Sequence, residues 1–149
     1  MTLKQKVHQH YLQMVNDKIS LLRQDLAGLR ESGANETKST AGDKHETALA
    51  MLQIEQANKR EQLEKAVAQK TVIEKINPTI VAPLVVIGSL VKTDRGYLFV
   101  SAALGKTVVG GITLTALSPQ SPLGNQLMGL KAGDTAVFNN NEYYIETIE

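Results

Sequence analysis

Apolar positions along the chain follow two different periods, and the change of period divides it. Between Leu3 and Arg30, Leu12, Ile19 and Leu26 recur every seven residues, and Val15, Leu22 and Leu29 follow each of them by three. Gln, Lys, Arg and Asp fill the other faces. This a/d seam predicts a long helix of coiled-coil type. A second helical stretch runs from about Asp43 to Ile76, with Leu49, Leu52, Leu63, Ala66 and Ile73 on its seam. Gln56 and Lys59 interrupt that seam; polar residues at such positions set register or mark where the partner helix flares away. Between the arms, "ESGANETKSTAGD" is small and polar. Two arms joined by roughly ten such residues predict an antiparallel coiled-coil hairpin over residues 1–76, with its tip at about 32–43.

From Ile80 the texture shifts to "IVAPLVVIGSLVKTDRGYLFVSAAL". Leu84–Val91 and Tyr97–Ala102 read as strands joined by a turn at Lys92–Gly96, and Ile112–Leu117 reads as a third after Gly110-Gly111. Ser121 can cap a short helix that begins at Pro122 and turns Leu123, Leu127 and Met128 inward. Thr135–Phe138 and Tyr143–Ile148 complete the pattern across a turn at Asn139-Asn140-Asn141. About five strands and one short helix predict a small α+β domain over residues 77–149. Asn77-Pro78 marks the boundary, because proline cannot continue a helix and biases its predecessor away from one.

Composition sharpens the division. Residues 1–76 carry 12 of the 16 Lys/Arg and 10 of the 15 Asp/Glu, while residues 77–149 hold all four prolines and eight of the eleven glycines. The net charge of +1 argues against a dedicated nucleic-acid binder. The absence of cysteine excludes disulfides, thiolate metal sites and cysteine nucleophiles. No apolar window is long enough to span a membrane, and the first residues lack the apolar run of a secretory signal, so the expected setting is the cytoplasm. A hairpin whose arms reach about 40–45 Å buries little core for its size. It is either a dimerisation or spacer element, or a probe that carries its tip where a globular domain cannot go.

The C-terminal residues carry a family resemblance. "SPLGNQLMGLKAGDTAVF" resembles the signature of the GreA/GreB transcript-cleavage factors, "VVIGSLV" resembles that family's first strand, and "EYYIETIE" its closing strand. The order, a coiled-coil hairpin followed by an FKBP-like domain, is also similar. The resemblance implies an α+β, two-domain protein that binds bacterial RNA polymerase at its secondary channel and touches nascent RNA only through the polymerase. It further implies a monomer with no membrane partner and no cofactor of its own. The chemistry would be the polymerase's Mg²⁺-dependent hydrolysis of backtracked RNA, assisted by acids at the hairpin tip. Carboxylates suit that role because Mg²⁺ prefers hard oxygen ligands.

The family's tip motif, set on Lys38 and Ala41, places its first acid on Glu36 and its second on Ser39. Glu36 is therefore the candidate catalytic and metal-ligating residue. Asp43 and Glu46 are the neighbouring acids that can assist, although acids in the first turn of a helix also favour its dipole, and Thr40 or Asp43 can serve as cap. Ser121, Pro122, Gly133 and Asp134, within the C-terminal signature, are the candidate partner-binding residues. Stimulation of cleavage and occupation of the channel without cleavage are both open, as is an adaptor role outside transcription.

Three lesser signals have plainer readings. Gly105-Lys106-Thr107 resembles part of a phosphate-binding loop, but Val100 stands where the first glycine belongs, and a turn is expected. His8 and His10 are two apart and face different sides of a helix, which disfavours a shared metal. Tyr97, Phe99, Phe138, Tyr143 and Tyr144 lie at strand spacing, so they are expected to pack within or on the sheet rather than to line a prolyl-isomerase pocket.

Overall fold

The structure is a computed structural model that describes residues 1–37 and 42–149, with side chains throughout except at 35–37 and 42–45. Two long helices, α1 (Leu3–Thr37) and α2 (Gly42–Lys75), precede six strands and one short helix. These are β1 (Leu90–Thr93), β2 (Gly96–Val100), β3 (Gly105–Val109), β4 (Ile112–Leu117), α3 (Pro122–Leu127), β5 (Thr135–Phe138) and β6 (Asn141–Ile148). The α+β organisation is as expected. The chain divides into two compact units, one comprising Met14–Ala68 and the other Met1–Gln13 with Gln69–Glu149.

In the helical unit the arms are antiparallel partners. Lys59 Nζ of α2 lies 3.2 Å from Asp25 Oδ2 of α1. Val15, Ile19, Leu22 and Leu26 are buried at alternating three- and four-residue steps. On α2, Leu49, Leu52, Gln56, Lys59 and Leu63 are half-buried and Ala66 is fully buried. Gln56 and Lys59 thus occupy the seam, and Lys59 satisfies its charge across it.

In the other unit the seam of α1 changes phase. Heptad spacing places Leu12 inward, but Leu12 is half-buried while Tyr11, Val7 and Lys4 are buried instead. From Val15 back to Lys4 the average step is nearer 3.7 than 3.5 residues, so the buried stripe rotates around the helix. The cause is a second neighbour. Tyr11 stacks on Phe99 of β2 with ring centroids 6.0 Å apart, and its hydroxyl donates to Gly105 O at 2.8 Å. A Thr2/Gln5 capping box starts α1: Thr2 Oγ1 accepts from Gln5 N and Gln5 Oε1 accepts from Thr2 N.

The sheet has the order β3-β4-β2-β1-β6-β5, antiparallel except for the parallel pair β2–β4. One face packs α3, with Val91, Leu98, Val100, Leu117, Ala136 and Ile145 clustered around Leu127. Phe99 alternates to the opposite face, where Tyr11 lies against it.

Two expectations need correction. Leu84–Val91 is not one strand. Val86 to Ser89 make a turn, with Ser89 Oγ accepting from Val86 N at 3.0 Å, and Gly88 takes φ +97°. Only Leu90–Thr93 joins the sheet, and Ile80, Val81, Leu84, Val86 and Ile87 remain exposed. Gly105-Lys106-Thr107 opens a sixth strand rather than forming a turn. The turn is Gly110-Gly111, whose positive φ values of 57° and 78° close a two-residue hairpin pairing Val109 with Ile112.

Candidate functional site

At the hairpin end, Glu36 lies in the last turn of α1 and Asp43 one residue inside α2, which begins at Gly42. Asp43 is therefore a first-turn residue and not itself the cap. Glu46 is exposed on the following turn. Ser39 and Thr40, the positions matched to the second acid and its neighbour, lie outside the described residues, as do the side chains of Glu36 and Asp43. No cluster of three or more His, Asp or Glu that could hold a metal occurs among the described residues.

The C-terminal signature forms two adjoining turns. Ser121 is the N-cap of α3; its Oγ accepts from Gly124 N at 3.1 Å and donates to Ser118 O at 2.7 Å. Pro122 follows at the first helical position and is exposed. Gly124 has no room for a side chain, since a Cβ there would lie 2.0 Å from Ser118 O. Gly133, at φ +95°, donates its N–H to Ile145 O at 2.8 Å. Asp134 Oδ2 accepts from Lys131 N at 3.0 Å, and its backbone pairs with Ile145. Ser121, Gly133 and Asp134 thus shape the chain, and of the four Pro122 and Gly133 are exposed while Ser121 and Asp134 are half-buried.

Sequence reasoning missed the chemistry at the foot of α1. Lys4 is buried and donates to Ile80 O at 2.5 Å. Burial pushes its ammonium below the usual lysine range, and the Glu149 carboxylate acts in the opposite sense. His8 Nε2 donates to Ile73 O, and His10 Nε2 shares a hydrogen bond with Thr107 Oγ1, both at 2.8 Å. Burial raises the Tyr11 phenol to about 12, with the Ala116 backbone opposing. Beside Lys4 is a cleft of about 500 Å³ walled by Val72, Ile76, Ile80, Val86 and Ile87, with Lys75 also lining it. An apolar wall beside a buried ammonium is an arrangement suited to binding. Periodic polar residues on one foot of a helix (Lys4, His8 and Tyr11 at spacings of four and three) are the signal that could have found it.

No family model and no curated protein matches the sequence. Among solved structures, the chain is similar to one described as the transcription factor Gfh1, at 14% identity and TM-score 0.37, over 93% of this chain and 92% of that one. It is also similar to GreA factor homolog 1 (Gfh1) of Thermus thermophilus, at 18% identity and TM-score 0.35, over 88% of this chain and 94% of that one.

Proposed function

We propose that the protein is a Gre-like transcription elongation factor that binds bacterial RNA polymerase at the secondary channel and directs its hairpin end toward the active centre. The observation that carries this reading is the joint occurrence of two parts. A long antiparallel helix pair, α1 and α2, precedes an α+β domain, and in that domain the residues of the Gre-type signature fold into one capped helix and one turn. In the helical unit the first arm, residues 14–37, extends roughly 36 Å at 1.5 Å per residue. That length suits a probe better than a local packing element.

In this reading Glu36 supplies one carboxylate to an Mg²⁺ held by the polymerase, and Asp43 or Glu46 helps position the attacking water. The hydrolysis belongs to the polymerase. A second reading, occupation of the channel without cleavage, is favoured by one observation: Ser39 stands where the resemblance places the second acid. A backtracked elongation complex distinguishes the two. Shortened RNA with the wild type but not with Glu36→Ala supports assisted cleavage. Binding without shortening, together with displacement by a Gre factor, supports the modulator. Failure to bind core polymerase overturns both and favours an adaptor outside transcription.

A further inference from the structure

The cleft beside Lys4 has features of a ligand site that neither reading of the hairpin uses. Its volume of about 500 Å³ is within the range of small-molecule pockets. Ile80, Val86 and Ile87 on its wall are 62%, 43% and 50% exposed, so their apolar surface is not covered by the chain itself. The charged side chains that line it are Lys4 and Lys75, and no acid does so. The Lys4 ammonium has three donors, and among the described residues it donates to Ile80 O. Glu149 does not line this cleft but a separate concavity of about 300 Å³ that Lys4 also lines, and from there it acts on the same ammonium. An acceptor entering the cleft would therefore meet a buried ammonium with donors to spare, an apolar wall, and a second cation at its edge.

We propose that this cleft binds a small aliphatic carboxylate, with its chain against Val72, Ile76 and Ile87 and its carboxylate at Lys4 and Lys75. Charge complementarity selects the anion, and a cleft of about 500 Å³ matches the size of a small molecule. The uncovered isoleucines and valine select an alkyl chain over a polar metabolite, because burying them removes apolar surface from water. Lys4 is the buried member of the pair and Lys75 the exposed one.

Amide NMR of the full chain, titrated separately with octanoate, octylammonium and acetate, tests the proposal. For octanoate, saturable shifts are expected at residues 72–76 and 86–89, with a dissociation constant on the order of 0.1–1 mM for ten heavy atoms. Octylammonium has the same chain but the wrong charge, and acetate has the charge but no chain, so neither should shift these amides at equal concentration. Lys75→Met should weaken octanoate about fivefold or more, as expected for loss of a partly exposed charge contact. Lys4→Met should weaken it further. If Lys4→Met does not fold, the wild-type titrations and Lys75→Met decide. An equal response to octylammonium, shifts outside the cleft, no saturable response, or unchanged affinity in Lys75→Met would each overturn the proposal. Shifts that appear only on addition of core polymerase would instead assign the surface to a macromolecular partner.

Discussion

Tyr11 of α1 and Phe99 of β2 lie nearly parallel, 17° between ring planes, and the tyrosine hydroxyl reaches past the phenylalanine to the backbone of β3 at Gly105. One side chain thus joins a helix to two strands, through an offset aromatic stack and a hydrogen bond. Tyr11→Phe should retain the stack and cost about 1 kcal/mol for the lost hydrogen bond, whereas Tyr11→Ala should cost about 3–5 kcal/mol. Urea unfolding of both variants checks the ratio.

The same residue makes an alkaline prediction. The phenol titrates near 10 when unfolded and at about 12 in the fold. Its contribution is present below pH 10 and is lost as pH rises from 10 to 12, because only the unfolded state releases the proton in that window. Wild-type stability should therefore fall more steeply than that of Tyr11→Phe between pH 10 and 12, with parallel curves below pH 10. Parallel curves throughout would remove the role given to burial.

The turn that opens α3 is the next test. Ser121→Ala should cost about 1 kcal/mol through loss of the cap. Gly124→Ala should cost at least 1–3 kcal/mol, because the methyl meets the Ser118 carbonyl and the helix must move. Pro122→Arg, on an outward surface, should change stability by less than about 0.5 kcal/mol. If the signature touches a partner, Pro122→Arg should nevertheless weaken polymerase binding in a pull-down. Binding equal to wild type would remove the partner contact given to Pro122.

Lys59 occupies a seam position and pairs with Asp25, both partly exposed. The ion pair itself is worth no more than about 0.5 kcal/mol at such exposure. Lys59→Leu should therefore not destabilise the hairpin, and extra apolar burial should raise its melting temperature. Polar seam residues also limit alternative pairing, so the variant should form higher oligomers in light scattering. A strictly monomeric, more stable variant would show that Lys59 has no part in setting register.

Asn139 and Asn140 both have positive φ, 55° and 64°, in the turn between β5 and β6. Glycine adopts this geometry without the Cβ penalty, and Asn-Gly is the preferred pair for such turns. Asn140→Gly should raise stability by about 0.5 kcal/mol and Asn140→Val lower it by about 1 kcal/mol, as read by thermal unfolding.

Where one neighbour determines burial, the sequence pattern was informative. Val15 to Leu26 and the α2 frame from Leu49 to Ala66 followed heptad spacing because the other arm is the main partner there, whereas beyond Ala66 the next buried residue is Gln69, which leaves the frame to donate to Ala103 O. At Leu12 the rule failed because Phe99 and Gly105 come from distant sequence, and a helical period cannot register a second surface. The run Leu84–Val91 was read as a strand from its apolarity, but that apolarity is divided. Val85, Leu90 and Val91 are buried while Val86 and Ile87 line a cleft. The Ser121 cap and the β5 range were legible because each depends on residues within a few positions. The chemistry at Lys4 was not, since its acceptor is 76 residues away.

The sheet also constrains how the chain assembles. Its strands form three neighbouring pairs, each closed by two residues: β1–β2 at Thr93 and Gly96, β3–β4 at Val109 and Ile112, and β5–β6 at Phe138 and Asn141. Only two joins, β2–β4 and β1–β6, connect one pair to another. Because β4 lies between β2 and β3, inserting it alone would require threading, whereas a preformed β3–β4 ribbon can dock along the edge of β2 in one step. Local ribbons that zip before they dock lower the loop-closure entropy of the later steps. Gly110-Gly111, inconspicuous in the finished sheet, thereby becomes a control point for the rate at which it is built.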